Sequence, residues 1–211
     1  MPLLKISDNE FPVWSEVKRI TQLSIEPNST KEITKSFPKY ALFVIQGECS
    51  IRTNGYEKMF SENDYLFSDK KNISIKITNH KTELVMIEGN WSDEIGGSSV
   101  FKMSKHSVPR NIGDPVNYNR TNDFDNHYHD FDEYWIILKG SGLAVSEGVK
   151  FNFSAGDIIA TRIGDHHDLP EVHEDIHGIY FETSLRGQKR IGHLWNHTHG
   201  EPDFSIREEN V

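Results

Sequence analysis

Short apolar runs separated by turn residues fill this chain, and they come twice in the same order. The first half carries "YALFVIQG", "ECSIRTNG", "DYLFSD", "ISIKIT" and "ELVMIEG"; the second carries "EYWIILKG", "GLAVSEG", "VKFNFSAGD", "DIIATRIGD" and "HGIYFET". Runs of Val, Ile, Phe, Tyr and Thr with turns roughly every 8–12 residues read as antiparallel strands of a sandwich or barrel. Helical periodicity is scarce, and "WSEVKRITQLSIEP" is mixed and short. A shift of 93 residues aligns the two halves. Gly47 falls on Gly140, each closing an apolar run. Gly55 falls on Gly148, each with hairpin-turn chemistry, and Ser61 and Asp64 fall on Ser154 and Asp157. The chain is therefore expected to be all-β, built from two copies of one β unit of about 80 residues each. The join "NWSDEIGGSSVFKMSKHSVPRNIGDP" is rich in Gly, Ser and Pro. It puts the boundary near Gly96–Ser99 and gives expected domains 1–96 and 97–211.

Bulk properties narrow the partners. With 211 residues, 36% hydrophobic and 26% charged, the chain reads as a globular protein with room for one large or two small β domains. No apolar run approaches the roughly 18 residues of a membrane helix. "MPLLKISDNEFPVW" lacks the basic segment and apolar core of a signal peptide. The single cysteine, Cys49, makes no internal disulfide, so a cytoplasmic location is expected. A net charge of −9 without a Lys/Arg cluster argues against nucleic acid and anionic membranes as partners. Nine of the 11 histidines follow residue 120, which puts the chemistry in the second half.

The stretch "NHYHDFDEYWIILKG" holds the first part of that chemistry. On an extended strand His127 and His129 point to one side and Tyr128 to the other. "DFD" offers a turn, and Glu133 then opens the next strand, which can bring its carboxylate back beside the imidazoles. Farther on, "GDIIATRIGDHHDLP" places Gly156 before a strand, Gly164 in a turn and His167 just after it. Three imidazoles and one carboxylate suit zinc, iron, nickel, manganese or cobalt. Nothing selects zinc through thiolate, because Cys49 lies in the other half. Alone, a His-x-His pair is more often two solvated or hydrogen-bonded histidines; the further residues at fitted spacing turn the balance towards a metal.

These residues resemble the two sequence motifs of the cupin superfamily. The first motif, G-x5-H-x-H-x3,4-E-x6-G, is matched by His127, His129, Glu133 and Gly140, with Thr121 where the leading glycine is expected. The second, G-x5-P-x-G-x2-H-x3-N, is matched by Gly156, Gly164 and His167, with Arg162 in the proline position and Glu171 in the final one. The resemblance implies a bicupin of two tandem jelly-roll barrels, with metal ligands His127, His129, Glu133 and His167. It implies one divalent transition metal per chain (Zn, Mn, Fe or Ni) and a homodimer. The spacing selects His167 over its neighbour His166. Under the 93-residue shift the ligands fall on Thr34, Ser36, Tyr40 and Ser74. The first barrel is thus expected to be degenerate, keeping the frame without the chemistry.

Other residues are expected around the metal. Trp135 would share the inward face of Glu133, as a wall of a substrate pocket or as ordinary core. Tyr180 and Glu182 share one face of the last strand and are the candidate catalytic proton carriers. Arg120 is the candidate to hold an anionic substrate group. His173 and His177 are read as flanking the turn before the last strand. In the tail, His193, His197 and His199 surround Trp195 without a carboxylate at motif spacing; Leu194 and Trp195 are expected to anchor this segment on a barrel or a partner subunit.

The resemblance also implies open positions on the metal. A Lewis acid there supports isomerisation, epimerisation or lyase chemistry, whereas a redox metal supports oxygenation, as in cupin dioxygenases using iron or copper. The motif stretch is locally similar to that of cupin-type sugar-phosphate isomerases. The expected function is a metal-dependent isomerase or epimerase acting on a sugar or related polar hydroxy-carbonyl metabolite. A dioxygenase and a non-catalytic small-molecule-binding cupin are the alternatives.

Overall fold

A computed structural model describes residues 3–53, 55–106, 108 and 113–186. Among these residues the chain forms strands and no helix. The strands are β1 (Leu3–Lys5), β2 (Val17–Ile25), β3 (Ser29–Thr34), β4 (Lys39–Gln46), β5 (Glu48–Thr53), β6 (Tyr56–Ser61) and β7 (Tyr65–Ser68). They continue with β8 (Asn72–Ile77), β9 (Thr82–Gly89), β10 (Ser98–Met103), β11 (Glu133–Ser146), β12 (Val149–Ser154), β13 (Asp157–Thr161) and β14 (His167–Glu182). The chain divides into two compact units, Glu16–Trp91 and the combination of Met1–Ser15 with Ser92–Val211. The division thus lies at Trp91/Ser92 rather than at the expected 96/97, and the first fifteen residues go with the second unit. The reason is local pairing. Strand β1 lies antiparallel to β13 with Leu3 opposite Ile159, Lys5 makes an ion pair with Asp157, and Ser15 Oγ and the Tyr134 hydroxyl share a 2.6 Å hydrogen bond.

The unit Glu16–Trp91 holds two four-stranded sheets, ordered β2-β9-β4-β7 and β3-β8-β5-β6. "WSEVKRITQLSIEP" resolves as strand β2, because β-branched Val17, Ile20, Thr21 and Ile25 suit the pleat and the strand pairs along β9. The interior is apolar, built on Leu23, Tyr40, Leu42, Ile51, Ile73 and Ile75 among others. Cys49 belongs to this core, and burial pushes its thiol up to about 11, so it stays neutral and is a poor metal ligand.

The second unit repeats this strand order with longer strands. Its sheet runs β1-β13-β11-β14-β10, with β12 on the far part of β11. Strands β11 and β14 pair over nearly their whole lengths, through register shifts between Ile137 and Val145. The first part of β11 takes β13 and the last part takes β12. One bent ribbon thereby does what β4/β5 and β8/β9 do as separate strands. His173 and His177 consequently lie within β14, not beside a turn. The turns match as the repeat requires. Gly47 and Gly140 have φ of +87° and +89°, and Gly55 and Gly148 have +85° and +74°, values that favour glycine. Asp64 accepts from the Ser61 amide at 2.7 Å, and Asp157 from the Ser154 amide at 2.8 Å.

The 93-residue alignment slips at two ligand positions. Arg52 pairs with Ser74, and its counterpart Val145 pairs with Asp168, so Ser74 answers to Asp168 and Ile73 answers to His167. Likewise Ile33 opposite Ile73 matches His127 opposite His167. The ligand positions are therefore held by Ile33, Ile73 and Tyr40 in the first unit, rather than by Thr34, Ser74 and Tyr40. A constant shift misses this because the loop before His167 is one residue longer than its counterpart, and the segment from His127 to Glu133 is one residue shorter than that from Ile33 to Tyr40.

Candidate metal centre

His127, His129, Glu133 and His167 come together at the inner face of the second unit, all buried, with one ligand atom of each lying within 4.8 Å of the others. Glu133 starts β11 and His167 starts β14. His127 is joined to His167 by an isolated bridge in which each amide donates to the other's carbonyl, at 3.2 and 2.9 Å. The loop between His129 and Glu133 is fixed by Asp132, whose carboxylate accepts from the Ile163 amide at 2.8 Å, and by the His129 carbonyl, which accepts from the Gly164 amide at 2.9 Å. Gly164 thus ties the two motif loops together.

The imidazoles are set for coordination. Nδ1 of His127 donates to the Asp125 carbonyl and Nδ1 of His167 to the Asp165 carbonyl, each at 2.9 Å. A carbonyl only accepts, so Nδ1 carries the proton and each Nε2 points its lone pair inward, the usual arrangement of metal-bound histidine. The Nε2 atoms of His127 and His129 stand 3.0 Å apart; His167 Nε2 lies 2.9 Å from Glu133 Oε2, and His129 Nε2 lies 3.8 Å from it. His129 stacks on Phe131 with centroids 4.2 Å apart. Trp135 meets His167 edge-on at 5.6 Å and Phe124 at 4.9 Å.

These residues fit a metal ion. Glu133 Oε2 and His167 Nε2 are buried without a hydrogen-bond partner despite their closeness, which is costly for polar atoms unless a ligand completes them. Donor atoms about 2.1 Å from a shared ion sit roughly 3–4 Å apart. The closest separations here fall in that range. Burial acts to raise the Glu133 carboxyl, but the His167 and His127 imidazoles and the Trp135 indole overcome it and hold the group below its ordinary value. For His167, burial acts to lower the imidazole, and Glu133 with the Asp165 carbonyl raises it above its ordinary value.

The remaining expected residues occupy distinct places. Glu182, buried at the end of β14, pairs in register with Glu133, and Tyr180, half-buried, pairs with Trp135, so all four share one sheet face. Arg120 Nε donates to Asp168 Oδ2 at 3.0 Å, and the Tyr118 hydroxyl donates to the same oxygen at 2.8 Å. Asp168 follows His167 on the opposite face of β14, so this pair stands behind the ligand. His166 also turns outward and meets Asp114 at 2.6 Å. His193, Leu194, Trp195, His197 and His199 lie outside the described residues. Phe131, Phe124 and Thr161, the register partner of Glu133, went unread in the sequence. Alternation from His129 to residue 131 was the one available signal for Phe131.

No protein-family model matches the chain. In solved structures, the fold is similar to that of an oxalate decarboxylase, with a TM-score of 0.65 and 9% identity over 88% of this chain and 78% of that one. Fold and site together define an all-β protein with the fold seen in oxalate decarboxylase and a four-residue site able to hold one metal ion. In sequence, the chain is 38% identical over 209 residues to the uncharacterized protein y4oW of Sinorhizobium fredii, covering 97% of this chain and 94% of that protein. The chain belongs to the family of y4oW. A shorter stretch of 65 residues is 31% identical to the HTH-type transcriptional activator RhaR of Pectobacterium carotovorum, 31% of this chain but only 22% of that protein.

Proposed function

We propose that the protein is a metal-dependent bicupin, its second barrel acting as an isomerase or epimerase on a sugar or related hydroxy-carbonyl metabolite, and its first barrel metal-free. The observation that carries the reading is the buried set of three imidazoles and one carboxylate, with Glu133 Oε2 and His167 Nε2 facing each other at 2.9 Å without a well-aligned hydrogen bond. His127, His129, Glu133 and His167 would hold the ion. When bound, it supplies a Lewis acid that polarises a carbonyl oxygen. Glu182, beside Glu133 on the same face, takes the proton from the carbon next to that carbonyl and returns it, with Tyr180 as its partner in the transfer. Trp135 walls the site against water. Arg120 was expected at the substrate; its engagement with Asp168 behind His167 favours an uncharged substrate over an anionic one. A homodimer is part of this reading.

Proton exchange tests it. Metal-loaded protein incubated in deuterated water with candidate aldoses and ketoses should place deuterium beside the carbonyl, read by NMR, and Glu182→Gln should reduce this by about a hundredfold or more. Dioxygen consumed in step with product would overturn it in favour of an oxygenase. The short similarity to a transcriptional activator favours a second reading, a binding module without catalysis. Saturable sugar binding with no exchange would establish that one.

A further inference from the structure

We infer that Ser146 completes the substrate side of this centre, its Oγ donating a hydrogen bond to an oxygen atom of the molecule bound there. The inference rests on the metal-centre reading and adds to it a residue that no motif contains. Ser146 ends β11, is 2% exposed, and its Oγ has no hydrogen-bond partner. It pairs in register with His167. The Glu147 amide donates to the His166 carbonyl at 3.0 Å, which makes Ser146 and His167 a non-hydrogen-bonded pair, the kind in which facing side chains approach most closely. Alternation gives the direction. Ala144 belongs to the inner core with Trp135 and Ile137, whereas Val145 lines an outer cleft with Tyr118, Asn126 and His166. Ser146 therefore faces inward. His127 bridges His167 on its other side, so Ser146, His167 and His127 form one row across the inner wall.

Packing alone explains a small residue here but not a hydroxyl. An alanine would fill the place without a buried donor left to satisfy, and an unsatisfied donor costs about as much as a lost hydrogen bond. The neighbouring orphaned atoms, Glu133 Oε2 and His167 Nε2, are accounted for by the ion; the serine cannot be, because a neutral hydroxyl is a weak ligand beside three imidazoles and a carboxylate. What remains is a donor aimed at whatever occupies the open side of the centre. The fitting class is a small molecule presenting a carbonyl or hydroxyl oxygen, which accepts from Oγ while its other end meets Trp135 and Tyr180.

Azide is a suitable probe, because its terminal nitrogen accepts hydrogen bonds and it enters open metal positions. Full-length wild type, Ser146→Ala and Ser146→Thr are loaded with Co(II) and titrated with azide, followed by visible absorption. Ser146→Ala should bind cobalt with unchanged stoichiometry and bind azide about tenfold more weakly, the loss of one hydrogen bond to a charged ligand. Ser146→Thr, which keeps the hydroxyl, should bind azide as wild type does. Equal azide affinity in wild type and Ser146→Ala overturns this inference alone, and so does equal weakening in the alanine and threonine variants. Loss of cobalt from Ser146→Ala overturns it by making the serine a support of His167. Failure of the wild type to take up cobalt overturns the metal centre itself.

Discussion

His129 stacks on Phe131, and Phe131 lies against Gly96. The rings of His129 and Phe131 stack at 4.2 Å, and a Cβ on Gly96 would stand 2.6 Å from Phe131 and 2.7 Å from Glu182 Oε2. Gly96→Ala should therefore press the phenyl ring into the imidazole. The expected cost is about 1–3 kcal/mol of stability, with a metal affinity weakened by about tenfold in calorimetry; adding Phe131→Leu should recover part of it. Wild-type affinity in Gly96→Ala would free His129 from this contact. Titration of the Glu133–His167 pair is a second residue-level test. Glu133 is lowered in the fold, so its contribution to stability is present above the ordinary value of 4.5 and lost as pH falls through the lowered one. His167 is raised, so its contribution is full below 6.5 and lost as pH rises through the raised value. Metal-free protein should gain most from the pair between pH 4.5 and 6.5. Metal affinity should run the other way and climb as His167 loses its proton. Melting curves and metal titrations at a pH inside that window and at one above it separate the two trends.

At the scale of elements, the bent pair β11 and β14 brings Glu133 and His167 from distant sequence to one wall. Its bend depends on Gly140, which has φ of +89° and whose added Cβ would lie 2.4 Å from the Asp175 carbonyl oxygen. Gly148, at +74°, sits in the β11–β12 hairpin with nothing within 4 Å. Gly148→Ala should cost only about 1 kcal/mol, the conformational penalty alone, whereas Gly140→Ala should cost about 3 kcal/mol or more because rigid backbone stands in the way. Denaturant melts read the difference directly, and equal costs would mean that the bend does not depend on that close approach. Both glycines were legible in the repeat. The clash that distinguishes them was not, because Asp175 meets Gly140 only through the pairing of β11 with β14.

For the whole molecule, the contrast between the units predicts the metal count. The first unit fills the ligand positions with Ile33, Ile73 and Tyr40 inside an apolar core, and the second fills them with imidazoles and a carboxylate. Purified protein should carry close to one transition metal per chain by elemental analysis; two would contradict an empty first unit. His129→Ala should lose the metal while keeping the far-ultraviolet circular dichroism of a β protein. Chelation should lower the melting temperature of the wild type and leave that of His129→Ala unchanged, since a ligand stabilises only the state that binds it.

The sequence by itself determined the all-β class, the internal repeat and the four residues that gather at the candidate metal centre, because strand alternation, glycines at positive φ and motif spacing are local and survive in one dimension. It also put Glu182 and Tyr180 on one face. Tertiary structure decided the rest. The exchange of β1 into the second unit, the one-residue slip that makes Ile73 rather than Ser74 the counterpart of His167, and the engagement of Arg120 with Asp168 all depend on pairing between distant segments. Ser146 was invisible for the same reason: a serine at a strand end carries no signal until the register of β11 on β14 sets its hydroxyl beside His167.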